Sequence, residues 1–243
     1  MPADRKAVDG TAWVTGASSG IGAAVAAGLA ARGRRVLGLA RRIDKIETAG
    51  GVEAAALDLG DLDAVPGRLD RLLRERGVPD VAVLAAGKGL LGALEEASYR
   101  QIRALVDLDL TAQILIARAL VPAMKRRGRG DLVFIGSEAA LRGRRRGAVY
   151  CAAKFGLRGF AQALREECAT AGLRISTVHP GPVRTDFFAG LEVEPGPEPE
   201  HALDPEDVAR AVCDVLELPA SAVVDEVVLS PRVAQVRRRK RPR

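Results

Sequence analysis

The sequence is poor in aromatic residues: Phe, Trp and Tyr make up 3% of its 243 residues. A core built from it must be aliphatic, and it offers few platforms on which nucleic-acid bases could stack. Histidine is almost absent, with only His179 and His201, which argues against a zinc enzyme. Cys151, Cys168 and Cys213 are too few and too widely spaced for a disulfide framework or a metal cluster. No apolar run has the length of a membrane span, and no signal peptide is visible. The expected address is the cytoplasm, with neither a membrane nor a nucleic acid as partner.

What is present suffices for one large α/β domain. Hydrophobic residues make up 48% of the chain, and no shift of composition divides it. The formal net charge of +6 is unevenly placed. Basic clusters fall at 125–129, 142–146 and 237–243, and the last reads as part of a solvated tail over 232–243. Residues 1–10 read as an uninformative lead. Residues 191–201, LEVEPGPEPEH, are an acidic, proline-rich loop.

Strand and helix patterns alternate. Short apolar strands are expected at 11–15, 36–40, 52–57, 80–85, 132–136, 174–178 and 222–229. Helices are expected at 21–31, 62–76, 99–127, from 148 onward, and at 204–216. The last has an Asp N-cap and a proline at its first position. In the helix at 62–76, Pro66 reads as an early interruption. From Leu105 to Val121 apolar residues run almost all the way round, as in a helix covered on more than one side. That points to a subunit interface as well as a core. Gly156 and Gly159 weaken their helix by roughly 1 kcal/mol each relative to Ala, which points to close packing there. Such alternation means a parallel sheet covered on both faces, with ligands held beyond the carboxyl ends of the strands.

The first strand runs into Gly16, Gly20 and Gly22 and then an Ala-rich helix. A glycine turn that opens a helix makes a nest of backbone N–H groups facing an anion, here a variant of the dinucleotide fingerprint. The second strand ends at Ala40-Arg41-Arg42, where a carboxylate would receive the ribose of NAD. Guanidinium groups suit a 2′-phosphate instead, hence NADP(H). The same pair also suits the exposed start of a helix. The third and fourth strands end at Asp58-Leu59 and Ala85-Ala86-Gly87.

The chemistry gathers between Ser137 and Lys154. Tyr150 follows Ser137 by thirteen positions, and Lys154 stands one helical turn beyond Tyr150. An unperturbed phenol has a pKa near ~10, and an adjacent ammonium lowers it. The phenol can then exchange a proton with a carbonyl or alcohol oxygen that Ser137 holds by a hydrogen bond.

TGASSGIG, Asp58-Leu59, Ala85-Ala86-Gly87, Ser137, the Tyr150 to Lys154 pair and HPGPVRTDF together resemble a short-chain dehydrogenase/reductase of the single-domain kind, over residues 11–231. The resemblance implies a Rossmann-type, doubly wound, seven-stranded parallel sheet in a homotetramer or homodimer. It implies Tyr150 as acid-base, Lys154 as its activator and a ribose ligand, and Ser137 as the group that orients the substrate. It implies cofactor contacts at Gly16, Ser18, Ser19, Gly20, Ile21, Gly22, Asp58, Leu59, Ala85, Ala86, Gly87, Pro180, Gly181, Val183 and Thr185. Two departures stand out. Leu84 and Ala85 replace the family's paired asparagines, and Asp109 stands where the family has a catalytic asparagine.

The expected function is NADP(H)-dependent interconversion of a carbonyl compound and an alcohol. Two other readings compete: a reductase of carrier-bound acyl chains, docked at 125–129, and a dinucleotide sensor without turnover. The arginines at 142 and 144–146 and the acidic loop's Glu192, Glu194, Glu198 and Glu200 leave three readings open: both loops simply solvated, which leads; the arginines latching the acidic loop; or the arginines recognising an anionic substrate. The latch is favoured over anion recognition.

Overall fold

Apolar runs and helices alternate along the chain as the pattern requires. The structure, a computed structural model, describes residues 10–239. The expected lead, apart from Gly10, and residues 240–243 of the expected tail lie outside the described residues. The strands are β1 (Thr11–Thr15), β2 (Arg35–Ala40), β3 (Val52–Ala56), β4 (Val81–Leu84), β5 (Gly130–Ile135), β6 (Leu173–Pro180), β7 (Val193–Pro195), β8 (Glu226–Leu229) and β9 (Val236–Arg238). All but β7 and β9 form one seven-stranded sheet in the order β3-β2-β1-β4-β5-β6-β8. Every pairing in it is parallel. The chain winds outward from β1 one way and from β4 the other, which opens a crevice at the carboxyl ends of these two strands.

The helices are α1 (Gly20–Ala31), α2 (Val65–Arg76), α3 (Tyr99–Val106), α4 (Ala112–Arg127), α5 (Ala148–Cys168) and α6 (Pro205–Glu217). One sheet face packs Trp13, Leu37 and Leu132 against Leu69, Leu72, Leu120 and Leu157 of α2, α4 and α5. The other packs Val14, Val83 and Val133 against Val25, Leu29, Val208 and Val212 of α1 and α6. A fully buried Leu in such a layer contributes about 1.5–3 kcal/mol. These two aliphatic layers hold the strand ends still.

Helix boundaries depart from the sequence reading in two informative places. Pro66 does not interrupt α2 but lies in its first turn, where a missing N–H costs nothing. The helix expected over 99–127 is divided by a π-turn at Asp107–Thr111. The wider turn inserts a residue and swings Asp109 inward, where it is fully buried. Gln113 braces the turn, donating from Nε2 to Ala86 O at 2.9 Å and to Leu108 O at 3.1 Å. Of the two glycines of α5, Gly156 meets Leu110 closely, while Gly159 faces open space.

The basic tail differs most. Where solvated chain was expected, β9 pairs antiparallel with β7, with Val193, Glu194 and Pro195 opposite Arg238, Arg237 and Val236. Backbone bonds from Val233 N to Glu200 O (3.0 Å) and from Arg239 N to Glu192 O (2.8 Å) extend the pairing. Opposite charge accompanies the docking: Arg237 and Arg239 meet Glu194, and Arg232 meets Glu200.

Candidate active site

The crevice begins at the glycine turn. Gly16 and Gly20 have positive φ, 70° and 55°, which side chains other than glycine's rarely adopt. A Cβ on Gly22 would fall 2.4 Å from Gly16 O, so only glycine lets α1 start so close beneath the turn. Ser19, the N-cap of α1, makes no side-chain cap bond, and the first turn holds no acidic residue. These N-terminal N–H groups therefore face the crevice with their positive end uncompensated, which fits a diphosphate. Thr15 Oγ1 accepts from Ala85 N and Ala86 N, both at 3.1 Å, locking the end of β4 to that of β1. Gly20 also abuts Thr185, so the turn after β6 closes over the glycine turn.

Ser137, Tyr150, Lys154 and Asp109 converge on one cavity of about 200 Å³, which Ile21, Ala85, Gly87, Pro180, Gly181, Val183 and Thr185 also line. Ser137 lies two residues beyond the end of β5 and caps a short 3₁₀ turn, with its Oγ accepting from Ala139 N at 3.1 Å. Tyr150 and Lys154 project from the first two turns of α5. Lys154 Nζ donates to Ile135 O at 3.2 Å and lies 5.8 Å from the centroid of the Tyr150 ring.

Asp109 brings a second charge to this group. Its Oδ1 accepts from Lys88 N at 2.9 Å, and its Oδ2 lies 3.3 Å from Lys154 Nζ. The pair is in ion-pair range but not in hydrogen-bond alignment, so buried Oδ2 lacks a hydrogen bond. Burial pushes the Asp109 carboxyl up, and the Lys154 ammonium opposes that shift. For Lys154, burial pulls the pKa down, but the Asp109 carboxylate and the phenol outweigh it and raise it. Burial also raises the Tyr150 phenol. Lys154 and the nearby Ser137 hydroxyl lower it, while Asp109 raises it further. The simple expectation of a phenol lowered by lysine is thus reversed on balance, because burial and a neighbouring carboxylate work against the ammonium.

The remaining expected residues lie along the strand ends outside the cavity. Arg41 and Arg42 are exposed at the end of β2, and neither makes an ion pair among the described residues. Asp58 is exposed and accepts from Gly60 N at 2.9 Å, while the Leu59 side chain is buried in the core. Leu59 can therefore offer a ligand only its backbone.

Several cavity residues had no role in the sequence reading. Phe187 packs edge-on against Tyr150, with centroids 5.6 Å apart, and Phe188 packs on Phe187. Leu91 and Val236 complete that side. The two phenylalanines could have been suspected from their place after Thr185 in an aromatic-poor chain. Val236 carried no signal beyond being apolar in a basic run. Of the four rim arginines, only Arg146 reaches the acidic loop, with Nη2 3.4 Å from Glu192 and 2.9 Å from Glu96. Tail arginines also meet that loop, Arg237 and Arg239 at Glu194 and Arg232 at Glu200, and Arg184 donates to the carbonyl oxygens of Gly196 and Glu198. Among the described residues no helix is long and apolar enough to cross a membrane, and no group of side chains could hold a metal ion.

Residues 10–195 match the family model described as short chain dehydrogenase. The chain is 34% identical over 235 residues to a glycine betaine reductase of Emericella nidulans, covering 91% of this chain but only 18% of that relative. An alcohol dehydrogenase from the archaeon Thermococcus sibiricus, solved with 5-hydroxy-NADP, superposes with a TM-score of 0.83 at 28% identity, covering 97% of this chain and 99% of that one. A metagenomic short-chain oxidoreductase solved with NADP gives 0.79 at 31% identity, over 93% and 99% of the two chains. The chain belongs to the short-chain dehydrogenase family of oxidoreductases.

Proposed function

We propose that this protein is an NADP(H)-dependent oxidoreductase that interconverts a ketone or aldehyde and an alcohol. The observation that carries the proposal is the convergence of Ser137, Tyr150 and Lys154 on one cavity beside the glycine turn. When bound, the cofactor would supply the hydride that the carbonyl carbon receives. Tyr150 gives its phenolic proton to the carbonyl oxygen, Ser137 holds that oxygen, and Lys154 stabilises the phenolate left behind. In the alcohol direction the same phenolate takes the proton back.

The uncapped start of α1 and residues 16–22 suit the diphosphate. Arg41 and Arg42, unpaired at the end of β2, suit a 2′-phosphate. Asp58 and the backbone of Leu59 would flank the adenine, and Pro180, Gly181, Val183 and Thr185 the nicotinamide. The two NADP-bound neighbours support this preference. A homo-oligomer built on α4 and α5 belongs to the same proposal, and sedimentation would measure it.

The carrier-docking reading loses support, because its basic cluster is engaged within the molecule. Lys125 donates to Glu167 O at 2.8 Å, Arg127 to Val78 O at 2.9 Å, and Arg129 lies 3.6 Å from Asp80. A sensor without turnover keeps one argument, the carboxylate beside Lys154. Hydride transfer from NADPH to a panel of ketones separates it from the enzyme. NADPH should also bind more tightly than NADH, and Arg41→Ala should narrow that gap by about tenfold, the value of one charge-assisted hydrogen bond. Equal affinities in the wild type would remove the NADP(H) preference.

A further inference from the structure

We propose that β9 forms the outer wall of the substrate side of the cavity. The substrate is an uncharged carbonyl compound with an apolar arm, and Val236 meets that arm. The proposal rests on the reductase reading above and adds a substrate class and a residue that reads it.

The substrate side, away from the glycine turn, is built from Leu91, Phe187, Phe188 and Val236. The charged side chains that line the cavity are already matched. Arg144 Nη2 lies 2.5 Å from Glu138 Oε2, and Ser230 Oγ donates to the other carboxylate oxygen. The Glu138 side chain is only 14% exposed, so an anion that took Arg144 would leave a sheltered carboxylate unpaired. Asp109 and Lys154, deeper in, face each other at 3.3 Å. A neutral, apolar ligand disturbs neither pair. A carboxylate must break one of them or remain desolvated.

Val236 is an apolar side chain in a basic strand, and it is 45% exposed although it lines the cavity. Part of its apolar surface lines the space a ligand would fill. The strand that carries it is firmly seated. Gly196 N donates to Gln235 O at 2.9 Å, Gln235 N to His201 O at 3.2 Å, and Arg239 Nη2 to Phe188 O at 3.2 Å. The last bond ties β9 directly to the aromatic wall.

The test compares methyl ethyl ketone, methyl hexyl ketone and the methyl ketone of that longer length ending in a carboxylate. Turnover with NADPH is one readout. The other is saturation-transfer NMR of each ketone, with and without NADP⁺, which needs no turnover. The hexyl ketone should exceed the ethyl ketone in kcat/KM by about tenfold or more, and the carboxylate should fall behind by a similar factor. Val236→Ala should lower kcat/KM for the hexyl ketone about fivefold and that for the ethyl ketone by a smaller factor. Val236→Arg should shift the ratio toward the carboxylate by about tenfold. Val236 is exposed on a short terminal strand, so both variants should fold. Turnover that ignores the Val236 variants overturns the wall and leaves the reductase standing. Binding of the hexyl ketone that depends on Val236, without turnover, upholds the wall and overturns the reductase. No saturation transfer to any ketone, or equal transfer to the neutral and charged long ketones, overturns the proposal.

Discussion

Two sheltered ion pairs sit at opposite ends of the sheet, and they are built differently. At the amino end, Arg174 of β6 meets Asp131 of β5 in a two-pronged contact, Nε to Oδ1 at 2.7 Å and Nη2 to Oδ2 at 3.1 Å. Its Nη1 donates to Leu218 O at 2.9 Å and its Nη2 to Leu216 O at 3.1 Å, so it also holds the end of α6. At the carboxyl end, Lys154 and Asp109 are more deeply buried, yet Asp109 Oδ2 has no hydrogen bond. A planar guanidinium with its donors engaged is a joint between elements. An ammonium facing a misaligned carboxylate beside a phenol is a place where protons can be redistributed. The contrast separates charge that holds the fold from charge kept available for chemistry.

Removing either member should therefore have opposite signatures. The largest expected effect is on stability at the amino end. Arg174→Ala removes the two-pronged guanidinium contact from buried Asp131 and should cost about 3–5 kcal/mol in denaturant unfolding. Its pH-rate profile, for the fraction that remains folded, should match the wild type. A loss below 1 kcal/mol would erase the distinction between the two ends.

Next comes the chemical end. Tyr150→Phe should reduce turnover by about 10²–10⁴-fold, the usual contribution of a positioned acid or base. Its unfolding free energy and NADPH affinity should stay close to wild type, as a phenol-to-phenyl change preserves the packing on Phe187. Retention of most activity would remove Tyr150 from the proposed chemistry.

Asp109→Asn sharpens the comparison by direction rather than size. Asp109 raises the Tyr150 phenol. Without its negative charge that pKa falls, so the phenolate needed to oxidise an alcohol forms at lower pH. The rising limb of the oxidation profile should move to lower pH, with activity retained. A profile that does not move would mean that Asp109 carries no charge felt by the phenol.

The smallest effect belongs to the exposed pairs of β7 and β9. Arg237 and Arg239 on Glu194 are each worth about 0–1 kcal/mol, and the backbone pairing remains without them. At ~1 M salt, where the screening length is ~3 Å, proteolysis within 191–201 should be modestly faster. Replacing Arg237 and Arg239 by Ala should reproduce that rate at low salt. Equal cutting throughout would show that the strand pairing alone holds the loop.

The sequence by itself determined the strands of the sheet, the glycine turn and the spacing of Tyr150 and Lys154. These depend on local periodicity and on glycine's conformational freedom, both readable within a dozen residues. Even Asp109 was recognisable as a departure from the family pattern. Only the tertiary structure decided what Asp109 does. The swing at Asp107–Thr111 is tied to the end of β4, where Ala86 O accepts from Gln113 and Lys88 N donates to Asp109. The tail is the second case. Val236 to Arg238 has no strand signature of its own. It becomes a strand because the acidic loop, some forty positions earlier, presents matching charge and unpaired backbone groups. Local pattern makes elements, but distant partners alone decide which carboxylate is buried beside which ammonium and which valine closes a cavity.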